Sequence, residues 1–265
     1  MSWLQALLLG LIEGLTEFVP VSSTGHLILA SRALGLQGTG VDSFSIVIQL
    51  GALLAAVLYY RRLLVQMLAG LARSEPQAVR LFVSLMLASL PVLAVGYLLG
   101  SSIKAALFGP VPVAAALCVG GVAMILVDRW HRRQGDLVAD LGSLSPRQVL
   151  LVGTTQVLSL WPGVSRSMSC ILGGQVARLS SAAAADFAFL LAIPTLGTAT
   201  IYDLVRNHQV ILRDTGAAAL VTGLVTSFVV GWAVIAALLR FLRRFGFAAF
   251  GYYRIAVGLL VLWFR

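Results

Sequence analysis

Three long stretches without a charged side chain decide what this chain of 265 residues can fold into. They cover residues 81–103, 105–127 and 215–239. Each is longer than the ~20 residues that an α-helix needs to cross the hydrocarbon of a bilayer. Only 11% of the residues are charged, whereas a soluble domain averages about 25%. The sequence therefore predicts an all-α polytopic membrane protein.

Six segments are predicted to span the membrane, and two further apolar regions are predicted to be broken in the middle. The six spans cover about 43–60, 81–100, 109–127, 186–203, 215–239 and 247–264. Pro20 interrupts region 3–35, and Pro162-Gly163 interrupts region 148–178. Because proline cannot continue a helix, each region is predicted to form a re-entrant pair of short helices that enters and leaves on one side.

The basic residues lie unevenly on the two sides of the predicted spans. One side collects eleven Arg and Lys residues and the other, which includes Arg265, collects five. The positive-inside rule makes the richer side cytoplasmic. The net charge of +9 is thus attributed to basic residues that set the orientation of the spans in the membrane. These residues are scattered through short loops rather than gathered on one face, as nucleic-acid binding would require. No nucleic acid is expected as a partner, and a homodimer is left open.

The second half of the chain resembles the first in a single ungapped register. This register places Gly10 on Gly153, Ser22 on Ser165 and Tyr59 on Tyr202. Over residues 10–59 it gives 11 identities, where composition alone gives roughly five. A single membrane domain is predicted, with repeats of about 1–127 and 147–265 joined by a cytoplasmic loop of about 128–146. Three spans in each repeat invert the second repeat, so the two broken regions are expected to meet inside the protein.

The first break carries two carboxylates, a hydroxyl-rich turn and an imidazole. Its polar side chains are, in order, Glu13, Glu17, Ser22, Ser23, Thr24 and His26. His26 follows Ser23 by three residues, so it is predicted to take the hydroxyl proton. Helix capping explains at least one of the hydroxyls but leaves the imidazole unexplained. The other histidines, His131 and His208, are predicted to be solvated in loops.

The second break places an arginine among hydroxyl groups. Its polar side chains include Gln156, Ser165, Arg166 and Ser167. An arginine fork beside hydroxyls and the N–H groups of a helix start is typical of a phosphate site. An ionisable group at mid-membrane costs ~2.5–3.5 kcal/mol, so such groups are functional candidates by default. The alternative is a buried ion pair that only joins the repeats, which would require neither the hydroxyls nor the imidazole.

The paired glutamates also suggest a metal. Glu13 and Glu17 are spaced to share a helix face, and together with substrate phosphates they can hold a hard divalent cation such as Mg²⁺ or Ca²⁺. No His or Cys pair has the spacing of a zinc site. No organic cofactor is expected.

Together the two breaks resemble the motifs of the bacitracin-resistance family of undecaprenyl-diphosphate phosphatases. The similarity lies in residues 13–26 and 162–167 and extends to 44–51, Trp161 and 186–194. The resemblance implies a multi-pass enzyme of the bacterial inner membrane with interlocking inverted repeats and a periplasmic active site. It also implies hydrolysis of a polyprenyl diphosphate lipid, which recycles the carrier for cell-wall synthesis and confers bacitracin resistance.

The predicted site residues follow from these two motifs. The predicted catalytic residues are Glu17, Ser23, His26 and Arg166. The predicted substrate-binding residues are Glu13, Ser22, Thr24, Gln156, Ser165 and Ser167. The chain departs from the family at Met168-Ser169-Cys170, where Gly-Ala-Thr is usual, so a thiol replaces a threonine hydroxyl. The sequence leaves open whether Ser23 is the nucleophile or His26 activates a water.

A transporter is the competing interpretation. Inverted repeats, broken helices and mid-membrane charges are equally typical of transporters, so the same site would pass an anionic lipid or solute across the membrane. Ser23 and His26 favour the enzyme, because transport requires neither a nucleophile nor a base. A purely structural membrane subunit would leave the polar cluster without a purpose.

Overall fold

The computed structural model describes residues 1–135 and 137–263, and these ranges are almost entirely helical. Residue 136, in the predicted cytoplasmic loop, and Arg265, one of the basic residues counted in the sequence, lie outside these described ranges. The helices described are α1 (Trp3–Thr16), α2 (Ser23–Ala33), α3 (Thr39–Val47), α4 (Gln49–Tyr59), α5 (Arg61–Ala72), α6 (Pro76–Leu107), α7 (Pro110–His131), α8 (Pro146–Gln156), α9 (Arg166–Val176), α10 (Ser181–Thr215), α11 (Ala217–Phe245) and α12 (Ala248–Trp263).

Among the described residues, five helical segments are long and apolar enough to cross a membrane. They are Thr39–Tyr59, Pro76–Ile103, Pro110–His131, Ser181–Thr215 and Ala217–Leu242. Five of the six predicted spans are thereby confirmed. The sixth, predicted at about 247–264, corresponds to α12, which is apolar but shorter. The protein is an all-α polytopic membrane protein, as predicted.

Both predicted breaks are present. A turn containing Pro20 separates α1 from α2, and a 3₁₀ turn followed by Pro162-Gly163 separates α8 from α9. Ser22 and Ser165, the residues just before α2 and α9, have φ angles of 75° and 77°. The hydroxyl oxygen of each accepts a hydrogen bond from a backbone N–H three residues further on. The two breaks therefore share one local backbone structure.

The helix bounds recur in the register found in the sequence. The alignment of Ser22 with Ser165 carries the bounds of α2 onto those of α9, and the start of α1 onto the start of α8. It also carries α5 onto the last turns of α10, a single helix of 35 residues. At ~1.5 Å per residue, α10 is about 52 Å long and exceeds the ~30 Å of hydrocarbon. Three helices in the first half thus correspond to one long helix in the second.

Glycines allow the helices around the breaks to pack closely. A Cβ atom at Gly14 of α1 would lie 2.8 Å from the carbonyl oxygen of Ser227 in α11. A Cβ atom at Gly121 of α7 would lie 2.6 Å from the carbonyl oxygen of Gly251 in α12. Close backbone approach through small residues is a common way to join membrane helices. These contacts join α1 to α11 and α7 to α12.

The predicted loop positions of His131 and His208 are wrong, because both residues lie in helices. His131 ends α7, is buried, and donates from Nε2 to the carbonyl oxygen of Leu179 at 2.7 Å. His208 lies within α10 and is exposed. The apolar pattern marks the limits of the hydrocarbon rather than the ends of the helices, so helices that extend beyond the membrane were cut short in the prediction.

Candidate active site

The two breaks meet in the interior of the protein, as predicted. The carboxylate Oε1 of Glu17, in the first break, lies 3.2 Å from Nη2 and 3.4 Å from Nε of Arg166, the first residue of α9. Arg166 also donates from Nη1 to the carbonyl oxygen of Ala188 in α10 at 2.8 Å. The Ser167 hydroxyl donates to the carbonyl oxygen of Val19 at 3.3 Å. An ion pair and a hydrogen bond therefore join the breaks.

The Ser23 hydroxyl is hydrogen-bonded to a carboxylate. Its Oγ donates to Oε2 of Glu17 at 2.5 Å, and both residues are buried. The Glu17 carboxylate thus accepts a hydrogen bond from Ser23 on Oε2 and from Arg166 on Oε1. The distance is typical of a hydrogen bond from a hydroxyl to an ionised carboxylate, so Glu17 is placed to take the hydroxyl proton.

His26 is not hydrogen-bonded to Ser23, the residue whose proton it was predicted to take. Nδ1 of His26 lies 2.8 Å from the carbonyl oxygen of Ser22, and Nε2 lies 2.9 Å from the hydroxyl of Tyr253. Ser23 is the first residue of α2, so its hydroxyl points back toward the preceding turn, whereas the imidazole points toward α12. Thr24, between them, is half-buried.

The hydroxyl residues beside the ion pair have distinct roles. Ser22 is the N-cap of α2 and accepts from the N–H of Gly25 at 3.3 Å, so capping is confirmed for this residue. Ser165 caps α9 through the N–H of Met168, also at 3.3 Å. The Oγ atoms of Ser165 and Ser167 lie 3.0 Å apart. The start of α9 therefore presents two hydroxyls beside the guanidinium.

Two predicted binding residues lie deeper in the protein. Glu13 and Gln156 are both fully buried. Neither carboxyl oxygen of Glu13 has a hydrogen-bond partner among the described residues. The Oε1 of Gln156 accepts from the thiol of Cys170 at 3.2 Å. Cys170, the residue at which the chain departs from the expected motif, thus contacts Gln156, and both side chains are buried.

Arg254 of α12 is a second buried arginine at the site, and it was missed in the sequence. Its Nη1 donates to the carbonyl oxygen of Pro20 at 3.1 Å. Its Nη2 donates to the carbonyl oxygens of Gly163 at 2.8 Å and of Ala116 in α7 at 3.1 Å. One side chain therefore connects the turn of the first break to the turn of the second.

The sequence contains one signal that points to Arg254. It is the only charged residue in the predicted span 247–264, and a charge inside a span is a functional candidate by default. The structure adds Gly120, because a Cβ atom at this position of α7 would collide with Nη2 of Arg254. A glycine here leaves room for the guanidinium.

A cavity of about 350 Å³ lies away from this cluster. Its lining includes Asp128, His131, Arg132, Ser181 and Arg244. None of the predicted site residues contributes to its lining. The candidate active site is therefore defined by the contacts between the breaks and not by this cavity.

Comparison with known proteins relates the whole chain to one family. A model of the family described as bacitracin resistance protein BacA matches residues 6–260. The chain is 53% identical over 265 residues to the "Undecaprenyl-diphosphatase" of Sorangium cellulosum, covering 99% of this chain and 86% of that protein. It is 43% identical to "Undecaprenyl-diphosphatase 1" of Burkholderia ambifaria, covering 99% and 96%. It is also 43% identical to "Undecaprenyl-diphosphatase 2" of Rhodospirillum rubrum, covering 98% and 93%. Because the match includes both breaks and nearly every helix, the chain belongs to the BacA family of bacitracin resistance proteins.

Proposed function

We propose that this chain hydrolyses undecaprenyl diphosphate to undecaprenyl phosphate and inorganic phosphate, which recycles the lipid carrier of cell-wall synthesis. The names of its relatives support the substrate. The reaction is supported by one observation above all, the Glu17 carboxylate that Ser23 and Arg166 share. Phosphoryl transfer requires a nucleophile, a base and a cationic group for the phosphate, and this hydrogen-bonded chain contains all three.

Substrate binding activates the nucleophile in this proposal. The terminal phosphate binds the guanidinium of Arg166, the hydroxyls of Ser165 and Ser167, and N–H groups at the start of α9. The guanidinium of Arg166 forms an ion pair with the Glu17 carboxylate in the structure. The phosphate therefore competes with Glu17 for the guanidinium. When Arg166 turns to the phosphate, Glu17 loses its positive partner and accepts the Ser23 proton more readily.

The chemistry then proceeds in two steps. Ser23 Oγ attacks the terminal phosphorus while its proton passes to Glu17, and the bond to the bridging oxygen breaks to release undecaprenyl phosphate. Water then attacks the phosphoserine, the bond between phosphorus and Ser23 Oγ breaks, Glu17 returns its proton to Oγ, and inorganic phosphate leaves. The proton of this water goes to Nε2 of His26, because Nδ1 is engaged by the Ser22 carbonyl oxygen. Arg166 stabilises the negative charge in both transition states.

The test uses purified protein in detergent and undecaprenyl diphosphate labelled in its terminal phosphate. We expect labelled phosphate to be released and, after acid quenching, a small labelled protein fraction. His26→Ala should accumulate labelled protein, and Ser23→Ala should form none. Ser89→Ala is the matched control, since this buried serine donates to the Leu85 carbonyl oxygen of its own helix. Release without labelled protein in any variant would assign the attack to water, and no release by the wild type would overturn the function.

We also propose that Glu13 holds a divalent cation, Mg²⁺ or Ca²⁺. Glu17, the other ligand expected from the sequence, is engaged by Ser23 and Arg166 and acts as the base, so it is not a ligand in this proposal. The two Glu13 oxygens are buried without a donor, which suits a cation better than a hydrogen-bond network. Among the described residues there is no cluster of three or more His, Cys, Asp or Glu side chains, so substrate phosphates and water would complete the ligands. Such a cation supplies positive charge against the diphosphate.

The orientation of the site is a further part of the proposal. The excess of Arg and Lys on one side supports a bacterial inner-membrane protein whose active site opens to the periplasm. Single cysteines at the exposed positions Gln77 and His208, in a variant without Cys118 and Cys170, test it. In intact cells a membrane-impermeant thiol reagent should label His208→Cys and leave Gln77→Cys unlabelled. The reverse pattern would invert the topology.

A further inference from the structure

Both ring nitrogens of His26 are engaged, one by its own helix and the other by the last helix of the chain. Nδ1 lies 2.8 Å from the carbonyl oxygen of Ser22. Because a carbonyl oxygen only accepts, Nδ1 carries the proton of the neutral ring, and Nε2 is the basic nitrogen. The hydroxyl of Tyr253 in α12 therefore donates to Nε2, at 2.9 Å. The nitrogen that would take a proton in catalysis is the one that Tyr253 holds.

The two rings also stack. The centroids of His26 and Tyr253 are 5.8 Å apart, and the ring planes differ by 7°. Tyr253 is 46% exposed, and His26 is half-buried. The pair therefore lies where the buried site reaches the exposed surface. The parallel rings and the hydrogen bond together restrict rotation of the imidazole.

The neighbouring residue fixes the position of Tyr253. Arg254 is fully buried and donates to three backbone carbonyl groups in both breaks and α7. Because any shift of α12 here would leave buried carbonyls unpaired, Tyr253 is held at a fixed position relative to α2. Two consecutive residues of α12 thus have different tasks: Arg254 holds the two breaks together, and Tyr253 holds the imidazole.

We propose that Tyr253 is a positioning residue for His26. Its hydroxyl occupies Nε2 in the resting protein, keeps the imidazole in one orientation, and is replaced at Nε2 by the hydrolytic water. The inference rests on the proposed phosphatase function, in which Nε2 takes the proton of that water. A role for Tyr253 in packing alone would require its ring and not its hydroxyl.

Tyr253→Phe separates these two roles, because it keeps the ring and removes the hydroxyl. Tyr252→Phe is the matched control, since Tyr252 is the adjacent residue and its hydroxyl accepts from Arg129 instead. Thermal melts should show that both variants fold like the wild type. Tyr253→Phe removes the hydroxyl that is bonded to His26, and Tyr252→Phe removes the hydroxyl that is bonded to Arg129. The two variants therefore differ only in the side chain that loses a partner.

The first measurement does not depend on activity. In protein with ¹⁵N-labelled histidine, the His26 signals are those that disappear in His26→Gln. The wild type should show a protonated Nδ1 and an unprotonated Nε2. Tyr253→Phe should shift the Nε2 resonance and leave Nδ1 in place, whereas Tyr252→Phe should shift neither. An unchanged Nε2 resonance in Tyr253→Phe would overturn the proposal.

The second measurement is steady-state phosphate release from undecaprenyl diphosphate. Tyr253→Phe should lower kcat about tenfold with KM unchanged within about twofold, since positioning affects the chemical step more than binding. In a His26→Ala background the same substitution should have no further effect. Normal kcat in Tyr253→Phe, beside an active wild type, would overturn the positioning role while the phosphatase function stands. No release by the wild type would instead remove the phosphatase function, and the positioning role with it.

Discussion

The two breaks have the same backbone and opposite chemistry. In each, a serine with positive φ caps a helix through its hydroxyl. The first helical residue is Ser23 in one break and Arg166 in the other, and these two positions correspond in the repeat. One turn geometry therefore presents a serine hydroxyl from the first break and a guanidinium from the second. The repeated structure orients the side chain, and the residue at that position decides the chemistry.

A second pair of corresponding positions differs in a similar way. Glu13 in the first break is fully buried and has no hydrogen-bond partner in the described part of the chain. Gln156, its counterpart in the second break, is equally buried but accepts from Cys170. A buried carboxylate without a partner is costly, whereas the amide is neutral and partly satisfied. The first break thus buries a carboxyl group at the position where the second break buries a neutral amide.

The largest effect that the comparison predicts is at Glu17. If the first break supplies both nucleophile and base, Glu17→Gln should lower kcat by roughly 10³-fold, within the range typical of a lost general base. Ser22→Ala should have a much smaller effect on kcat, because Ser22 serves as a cap worth ~1 kcal/mol of stability. Phosphate release and thermal melts of both variants provide the measurement. Equal losses of kcat in the two variants would mean that both substitutions act by disturbing the fold of the first break and not by removing a catalytic group.

The next largest effect is expected at Arg166, which has the corresponding task in the second break. Lys supplies the same charge without the bidentate fork, so Arg166→Lys should fold normally and lose ~2–4 kcal/mol of transition-state stabilisation, which is roughly 30- to 900-fold in kcat. Near-normal turnover would favour an ion pair that only joins the breaks. Arg213→Lys is the control, because its pair with Asp214 is exposed and contributes little.

Most of this comparison could be predicted from the sequence. Pro20 and Pro162-Gly163 interrupt apolar regions, and proline removes a backbone hydrogen bond from the interior of a helix. Pro91 and Pro194 lie within the long helices α6 and α10, so the polar residues around Pro20 and Pro162, and not proline alone, mark the two breaks. The register of the internal repeat then aligns Ser22 with Ser165, and each of these serines caps the second helix of its pair. The meeting of the breaks follows from that repeat, since each brings polar groups that lipid cannot accommodate.

The partners of His26 could not be predicted in the same way. A spacing of three residues suggested that His26 takes the proton of Ser23, but this spacing places two residues on one helix face without fixing the direction of their polar atoms. Ser23 begins α2 after a residue with positive φ, so its hydroxyl turns back to Glu17. Tyr253 and Arg254 reach the site from α12, at the opposite end of the sequence from the first break. Arg254 stands out in the sequence as the only charged residue of its predicted span, but no local pattern indicates which residues Arg254 and Tyr253 contact.

Glu13→Gln tests the difference between Glu13 and Gln156 directly. It places in the first break the residue that the second break has at the corresponding position. If Glu13 holds a divalent cation, the variant should lose about tenfold in kcat and respond less than the wild type to added Mg²⁺ or Ca²⁺. Removal of a buried carboxyl group beside Glu17 should at the same time raise the melting temperature when no cation is added, because two neighbouring buried carboxyl groups are costly. A chelator should inhibit the wild type more than the variant. Equal inhibition of both would place the cation elsewhere.

The smallest effect is expected at Cys170, where the second break departs from its family. The thiol is fully buried and donates to Gln156, and a threonine hydroxyl can donate the same hydrogen bond with a similar side-chain volume. Cys170→Thr should therefore change both kcat and KM by less than about twofold, since volume-conserving substitutions cost little when polar groups stay paired. Cys118→Thr, at the other free cysteine, is the control for loss of a thiol. A severalfold fall in KM in Cys170→Thr alone would mean that phosphate reaches this depth, and Gln156 would then be a binding residue that opens with substrate. A steep loss of kcat would mean that the second break has repacked around sulfur, so that its backbone, and not only its side chains, differs from the rest of the family.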